Sequence, residues 1–520
     1  MKLSRNNLFH CFSAIPIVIH FYLLNQTIIN FPGWGDDFLF VELIEHYQKD
    51  SWRDFGGFLF KPHNQIHILF FGKIFTLFTF LILGSLQFKY IILLANLLLL
   101  GIATFFYKYL QAQKYSTAHF ISITCILFAP MASIDQYNLI GVLQHTGSLF
   151  FLTLIAYVAA NRKHSVILCI AAVCYPLVST EGWAMLPLLT MYMYLAKHPL
   201  RKLMLLLSIV SISIFGYFLV QHPQPGESHS VINILFQAPI ALLSFLGNTA
   251  WPISDSYKIG LNALWGAILV LLSLYFLRKN KQWEMPGLLL LQILATGAMI
   301  CIGRSQGNSI TTLILSERFY TYASFAMIGT YLLGIPHFNK SNIRLNLILL
   351  FSCLYFTGSL YYWTKRQDAL HNRLRADLTN ACQSASLLNY PAAPEQIRML
   401  MEAKYFQVDK EALLTRIQEN PTKFQALKSY SLEARNGQLS LQLNDIPEKV
   451  SEADQRWLAI QSVTNPDSSY IVSFIRDQAK KPRLVHINSL QLTNLRGKNI
   501  WLYTQKANGT KLTQYLGSLQ

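Results

Sequence analysis

The sequence predicts an α-helical polytopic membrane protein of about eleven spans, ending in a small soluble α+β domain. Three observations carry this reading. Of the 520 residues 52% are hydrophobic and only 13% charged, about half the charge of a soluble globular chain. Up to residue 363 the apolar residues fall in runs of roughly 20, the length that crosses about 30 Å of hydrocarbon. Beyond that point the pattern changes to short alternating segments of ordinary charge density, so residues 1–363 read as a membrane domain and 364–520 as a soluble one.

The first element is an apolar run at 8–31, preceded by Lys2 and Arg5. It is too long for a signal peptide, has no small-residue cleavage site after it, and reads as a retained first span. Runs at 66–84 and 88–107 come next, then pairs at 117–133 with 139–160, 165–180 with 183–196, 203–221 with 258–277, and 285–303 with 317–336. A last run at 345–363 exports the C-terminus. Basic clusters separate these pairs: Lys108/Lys114, Arg162/Lys163, Lys197/Arg201/Lys202, Arg278/Lys279/Lys281 and Lys340/Arg344. Short basic loops stay on the cytoplasmic side, so an even number of spans must lie between clusters. Three runs before Lys108 violate that parity. The run at 66–84, with Lys73 inside it and His63 and His67 at its start, reads as a surface-lying or re-entrant segment of a first outer loop over about 32–87. Such a segment normally lines a cavity.

The net charge of +17 does not mark a nucleic-acid binder, because the excess sits in these loops and no basic–aromatic module is present. Six of the seven cysteines (Cys11, Cys125, Cys169, Cys174, Cys301 and Cys353) lie in apolar runs, which leaves Cys382 alone in the soluble part, where it can form no internal disulfide. The tail begins with helical patterns at 366–383 and 395–418. Alternating segments come after them, punctuated by Asn436-Gly437, Asn465-Pro-Asp467 and Asn508-Gly509.

The chemistry-bearing residues gather at the outer ends of spans. Asp36 and Asp37, in Phe31-Pro-Gly-Trp-Gly-Asp-Asp-Phe38, form an adjacent pair of carboxylates able to take a proton from a hydroxyl. Equally, they can cap and charge the first turn of a helix opening at Phe38. His63 and His67, four apart in Lys61-Pro-His-Asn-Gln-Ile-His67, can share a helix face and contact a phosphate or a sugar hydroxyl. No His-Glu-x-x-His pattern supports a zinc site there. Asp135, His145 and Glu181 stand at further outer ends, as do Arg304 and Arg318, which can grip a phosphate with their planar forks. Ionisable groups near membrane depth are costly and functional by default. Arginines of this kind also snorkel to the interface with no further role.

Taken together, the inside N-terminus, the acids Asp36-Asp37 in a long first outer loop, Asp135 in the second and a soluble tail resemble the GT-C glycosyltransferases. That family includes aminoarabinose transferases, protein mannosyltransferases and bacterial O-antigen glucosyltransferases. His63-Asn-Gln-Ile-His67 is similar to a His-Asn-Glu-His-Arg segment of bacterial relatives, but lacks the Glu and shifts the second His. The resemblance covers about residues 1–363. It implies a bacterial inner-membrane enzyme, N-terminus cytoplasmic and C-terminal domain periplasmic. Such an enzyme moves a sugar from a polyprenyl-phosphate donor to a lipopolysaccharide or other surface glycan, a lipid or a protein. Asp36 and Asp37 would be catalytic; His63, His67, Asp135, His145, Glu181, Arg304 and Arg318 would bind substrate. A monophosphate carrier is its own leaving group, so the chemistry requires no cofactor, and a divalent metal is not excluded. The alternatives are a transporter or flippase of lipid-linked sugars, which would place charges mid-span, and a polysaccharide polymerase or an acyltransferase using His63 or His67.

Overall fold

The structure, a computed structural model, describes residues 5–63, 67–161, 165–195, 197, 202, 205–206, 209–210, 212–213, 231–249, 255–279, 284–303, 319–338, 341–384, 394–408, 430–435, 438–443, 455–462, 469–473, 483–488, 498–505 and 511–518. It is predominantly helical. Among the described residues five helices are long and apolar enough to cross a membrane: Phe88–Ala112, Leu139–Asn161, Ile259–Lys279, Glu284–Cys301 and Asn342–Thr364. The eleven spans expected from the apolar runs are therefore not reproduced one for one. The runs at 117–133, 165–180 and 183–196 yield helices of only 10, 14 and 14 residues, the run at 66–84, which is not one of the eleven, yields one of 14, and most of 203–221 lies outside the described residues.

The chain divides into two compact units. The first comprises Met1–Gln26, Leu43–Thr79 and Tyr90–Trp363, and the second Thr27–Glu42, Phe80–Lys89 and Thr364–Gln520. In chain order the helices are α1 (Arg5–Thr27), α2 (Leu39–Lys49), α3 (Trp52–Phe60), α4 (Phe70–Leu83), α5 (Phe88–Ala112), α6 (Ala118–Leu127), α7 (Leu139–Asn161), α8 (Ser165–Val178) and α9 (Gly182–Leu195). They continue with α10 (Val231–Leu246), α11 (Asp255–Lys279), α12 (Glu284–Gly303), α13 (Tyr320–Phe338), α14 (Asn342–Ser384) and α15 (Pro394–Glu402). Pro130 stops α6, since proline cannot continue the hydrogen-bond ladder, and the chain runs instead through a 3-10 segment, Pro130–Tyr137. Helix α10 was not anticipated, because Asn233, Gln237 and Pro239 interrupt its apolar run.

One buried apolar core organises the first unit. It draws Leu99 and Phe106 from α5, Leu149 and Leu152 from α7, Tyr175 from α8, Leu186 from α9, Leu289 from α12, and Phe325 and Leu332 from α13. The opposite faces are apolar too: Leu264 and Leu271 of α11 and Leu347 and Leu354 of α14 are all exposed. Helices greasy on both the packed and the open face suit lipid rather than water.

Helix α3 is held at both ends. At its start Ser51 Oγ accepts from Asp54 N at 3.3 Å and donates to the Asp54 carboxylate at 2.7 Å, a cap that satisfies an otherwise orphaned donor. At its end the buried Lys73 of α4 sends its ammonium to the carbonyls of Phe58 (2.8 Å), Leu59 (3.3 Å) and Lys61 (2.7 Å). Its Nζ also lies 4.9 Å from the Phe58 ring centroid. A cation on the last carbonyls of a helix meets both their unused lone pairs and the negative end of the dipole. Helix α4 rises only about 21 Å at 1.5 Å per residue, shorter than a bilayer core.

In the second unit, residues from distant parts of the sequence are joined. Leu86 N donates to Tyr405 O at 2.8 Å, Asn30 Nδ2 to Gln407 O at 2.9 Å, and Gln396 Nε2 to Glu42 Oε1 at 2.6 Å. His371 Nδ1 lies 2.9 Å from Thr27 O, and the Phe88 and Phe406 rings meet edge-on. The strands are β1 (Tyr430–Arg435), β2 (Gln438–Leu443), β3 (Gln455–Ser462), β4 (Ser469–Ser473), β5 (Arg483–Asn488), β6 (Lys498–Gln505) and β7 (Lys511–Ser518). They form two antiparallel sheets, ordered β1-β2-β5 and β4-β3-β6-β7. The paired loops after β1, β3 and β6, with their Asn436, Asn465 and Asn508 turn signals, lie outside the described residues.

Candidate functional site

The first unit carries a buried cluster built on the tight turn between α8 and α9. Val178 ends α8, and backbone bonds Gly182 N to Ser179 O (3.0 Å) and Ala184 N to Glu181 O (3.1 Å) start α9 almost at once. The turn is tight because residue 182 is glycine: a Cβ there would sit 2.5 Å from the Pro176 nitrogen and the Tyr175 carbonyl carbon. This packing drives Glu181 into the interior, where it is 7% exposed.

Three elements close around this residue, and one of them reaches its carboxylate. Tyr322 of α13 donates its hydroxyl to Glu181 Oε1 at 2.6 Å. His145 Nδ1 lies 2.9 Å from the same hydroxyl. With the tyrosine proton committed to Glu181, the bond from His145 runs Nδ1–H to Oη, which leaves Nε2 as an acceptor in the neutral ring. Gln292 of α12 fixes the turn from behind, its Nε2 donating to Glu181 O at 2.9 Å. Burial pushes the Glu181 carboxyl up to about 7, against the opposing hydrogen bonds of Ser148 and Tyr322. A carboxyl of that proton affinity can both take and return a proton near neutrality.

His145 reaches the cluster through an irregularity of α7. Residues Val142–Thr146 form a π-helical turn, entered through an N-terminus on which Asn138 Oδ1 accepts from Gly141 N at 2.7 Å. Single π turns in α-helices recur at functional sites. The 3-10 segment before it carries Asp135, 6% exposed, whose charge acts through space on the Tyr322 hydroxyl.

The histidine pair of the first loop does not share a helix face. Lys61 leaves α3 in extended conformation and Pro62 comes next, which bars a helical continuation. His63 and His67 instead form an isolated antiparallel bridge, His63 N to His67 O at 2.7 Å and His67 N to His63 O at 3.1 Å. His67 Nδ1 then meets Thr180 Oγ1 at 3.1 Å, one residue from Glu181. So the structure brings His67, Asp135, His145 and Glu181 toward one turn, and adds Tyr322 and Gln292, which nothing in an apolar run had singled out. Arg304 and Arg318 lie outside the described residues. Among the described residues no three His, Cys, Asp or Glu side chains converge as a metal-ligand set.

Asp36 and Asp37 belong to the second unit. They sit in a 3-10 turn, Gly35–Phe38, ahead of α2. Buried Asp37 is bound to its own loop: it accepts through Oδ2 from Gly33 N at 2.8 Å and Trp34 N at 3.2 Å. Asp36 is half-buried. The arrangement separates two roles by experiment. Asp37→Ala leaves the buried Gly33 N–H without its acceptor and should cost about 1–3 kcal/mol, read as a lower thermal midpoint. Asp37→Asn keeps an acceptor oxygen and should unfold near the wild-type temperature. Loss of activity in Asp37→Asn at unchanged stability would instead make Asp37 a base.

No protein-family model matches the chain, and neither a curated protein nor a solved structure is significantly similar to it.

Proposed function

We propose that this protein is a membrane glycosyltransferase of the GT-C type, moving a sugar from a polyprenyl-phosphate carrier to an acceptor hydroxyl. The observation that carries the proposal is the buried Glu181–Tyr322–His145 chain, a carboxyl with a near-neutral proton affinity held in an otherwise apolar helical unit. In the proposed step the acceptor oxygen bonds to the anomeric carbon as its proton passes to Glu181. The bond from that carbon to the phosphate oxygen breaks, and the polyprenyl phosphate leaves with the electron pair. Tyr322 and His145 hold the carboxylate in position, and Asp135 and His67 face the sugars. Asp37 shapes the first outer loop and Asp36 stands as a second acid there. The acceptor is a surface glycan such as lipopolysaccharide, a lipid or a protein.

The decisive assay is transfer from a panel of radiolabelled polyprenyl-phosphate sugars by the purified chain in lipid. Within it, Arg304→Lys and Arg318→Lys test donor binding. Lysine keeps the charge and loses the two-point fork; a lost charge-assisted hydrogen bond of about 1.5–3 kcal/mol weakens donor use roughly 10- to 150-fold. Unchanged dependence of rate on donor concentration in both variants would remove the arginines from the site. A buried acid that titrates near neutrality also suits a proton-coupled carrier of lipid-linked sugars; movement of the intact lipid without any transferred product would favour that reading.

We further propose an inner-membrane protein with about eleven spans, a cytoplasmic N-terminus and a soluble α+β domain outside. Helix α10, about 24 Å long at 1.5 Å per residue, then lies in the membrane without crossing it. Reporter fusions after Gln87 and after Trp363 should both behave as periplasmic. A cytoplasmic signal at Trp363 would make α10 a full span, and one at Gln87 would make α4 one.

A further inference from the structure

Away from Glu181, the first unit buries a second group of polar side chains that the proposed step does not use. His20 of α1 and Asn96 of α5 are 0% exposed, and Gln136 of the 3-10 segment is 1% exposed. They are neighbours: Asn96 faces His20 and donates through Nδ2 to Gln136 O at 3.0 Å, as well as to Ile92 O at 2.8 Å. The edges of Phe21 and Phe128 pack around the imidazole, with ring centroids 5.3 and 5.5 Å away.

Three atoms of this group are left over once the Asn96 amide faces one ring nitrogen of His20: the other His20 nitrogen, and both Oε1 and Nε2 of Gln136. Burying polar atoms without partners is costly, and a folded chain rarely concentrates several in one place without a use for them. Their chemistry is specific. Neutral imidazole offers one donor and one acceptor, and the Gln136 amide two donors and an acceptor. A phosphate presents acceptors only and would face oxygen against oxygen at Gln136. A metal cation would use only the acceptors and leave the Gln136 amide N–H groups unmet. Hydroxyl groups, which donate and accept at once, fit the mixed set. Gln136 is also the next residue after Asp135, whose charge reaches Tyr322.

We propose that His20, Asn96 and Gln136 form the binding site for the sugar hydroxyls of the donor lipid. The proposal rests on the glycosyl-transfer reading and adds to it the part of the membrane unit that recognises the sugar as opposed to the phosphate. The test measures equilibrium binding of the full chain, in lipid nanodiscs, to a polyprenyl monophosphate bearing a hexose and to the same lipid without the sugar. Two variants are compared with the wild type. Gln136→Met keeps the side-chain volume and breaks no protein hydrogen bond, so it should fold; His20→Phe keeps a flat ring. Each should weaken the hexose-bearing lipid about 3- to 10-fold, as expected for one or two lost hydrogen bonds, and leave the bare lipid unchanged. If the wild type binds both lipids and neither variant alters the preference, the sugar site is wrong while the donor class stands. Equal weakening of both lipids would also overturn it, since that is a packing defect. A raised thermal midpoint in Gln136→Met with unchanged preference would make the group a polar core and nothing more. If the wild type binds neither lipid, the glycosyl-transfer reading falls and this site falls with it.

Discussion

Replacing Glu181 with Gln lowers sugar transfer by about 10²–10⁴-fold, the usual loss when a general base is removed, while the chain still folds and inserts. The amide keeps the volume and can still accept the Tyr322 hydroxyl, so a collapse in rate isolates the proton-accepting role. The pH profile carries a sign. Burial raises the Glu181 carboxyl from its ordinary 4.5 to about 7, so below that value it is protonated and cannot act as a base. The wild-type rate should climb as pH rises through about 7. Stability should move the other way, because the folded chain holds a proton between about 4.5 and 7 that the unfolded chain has lost. That contribution is fully present below 4.5 and is lost as pH rises through 7. Glu181→Gln removes both trends. A variant with near-normal turnover and an unaltered profile would take Glu181 out of the chemistry.

Lys73→Met is expected to have the largest effect on stability, about 3 kcal/mol or more. One ammonium serves three carbonyls at the end of α3, and hydrogen bonds to charged groups each contribute about 1.5–3 kcal/mol. Methionine fills the same volume with no donor. The measurement is the thermal midpoint of the purified chain, with limited proteolysis across 52–67 as the local readout. Lys73→Arg, which retains charge and donors, should recover part of the loss. If Lys73→Met unfolds at the wild-type temperature with 52–67 still protected, the lysine is not holding α3.

Lys73 also explains where sequence reasoning ran out. A charge inside an apolar run was a reason to lay 66–84 on the membrane surface, but its partners are backbone carbonyls 12 to 15 residues earlier, and backbone groups leave no mark in a sequence. Apolar runs were legible because lipid and packed core demand the same side chains; Leu99 and Leu271 read alike although one is buried and the other 66% exposed. For the same reason spans could not be counted reliably: hydrophobicity marks 117–133 as one run, whereas Pro130 splits it into α6 and a 3-10 segment. Asp135, His145 and Glu181 stood out as ionisable groups in apolar surroundings. Tyr322 did not, since an aromatic in a buried helix is usually only packing. The spacing of His63 and His67 suggested a helix face, and Pro62 decided otherwise.

The π-helical turn at Val142–Thr146 makes the position of His145 depend on residue count as much as on residue identity. Such a turn holds one residue more than an α-helix needs. Deleting a single residue there would let α7 close into a regular α-helix with its two ends kept in place, and the side chains of the turn itself, His145 among them, would leave the positions they now hold. The histidine would still be present, but Tyr322 would no longer be its neighbour. Substitutions throughout the turn would be gentler than that one deletion, and a change in chain length, more than a change in chemistry, would retire the site.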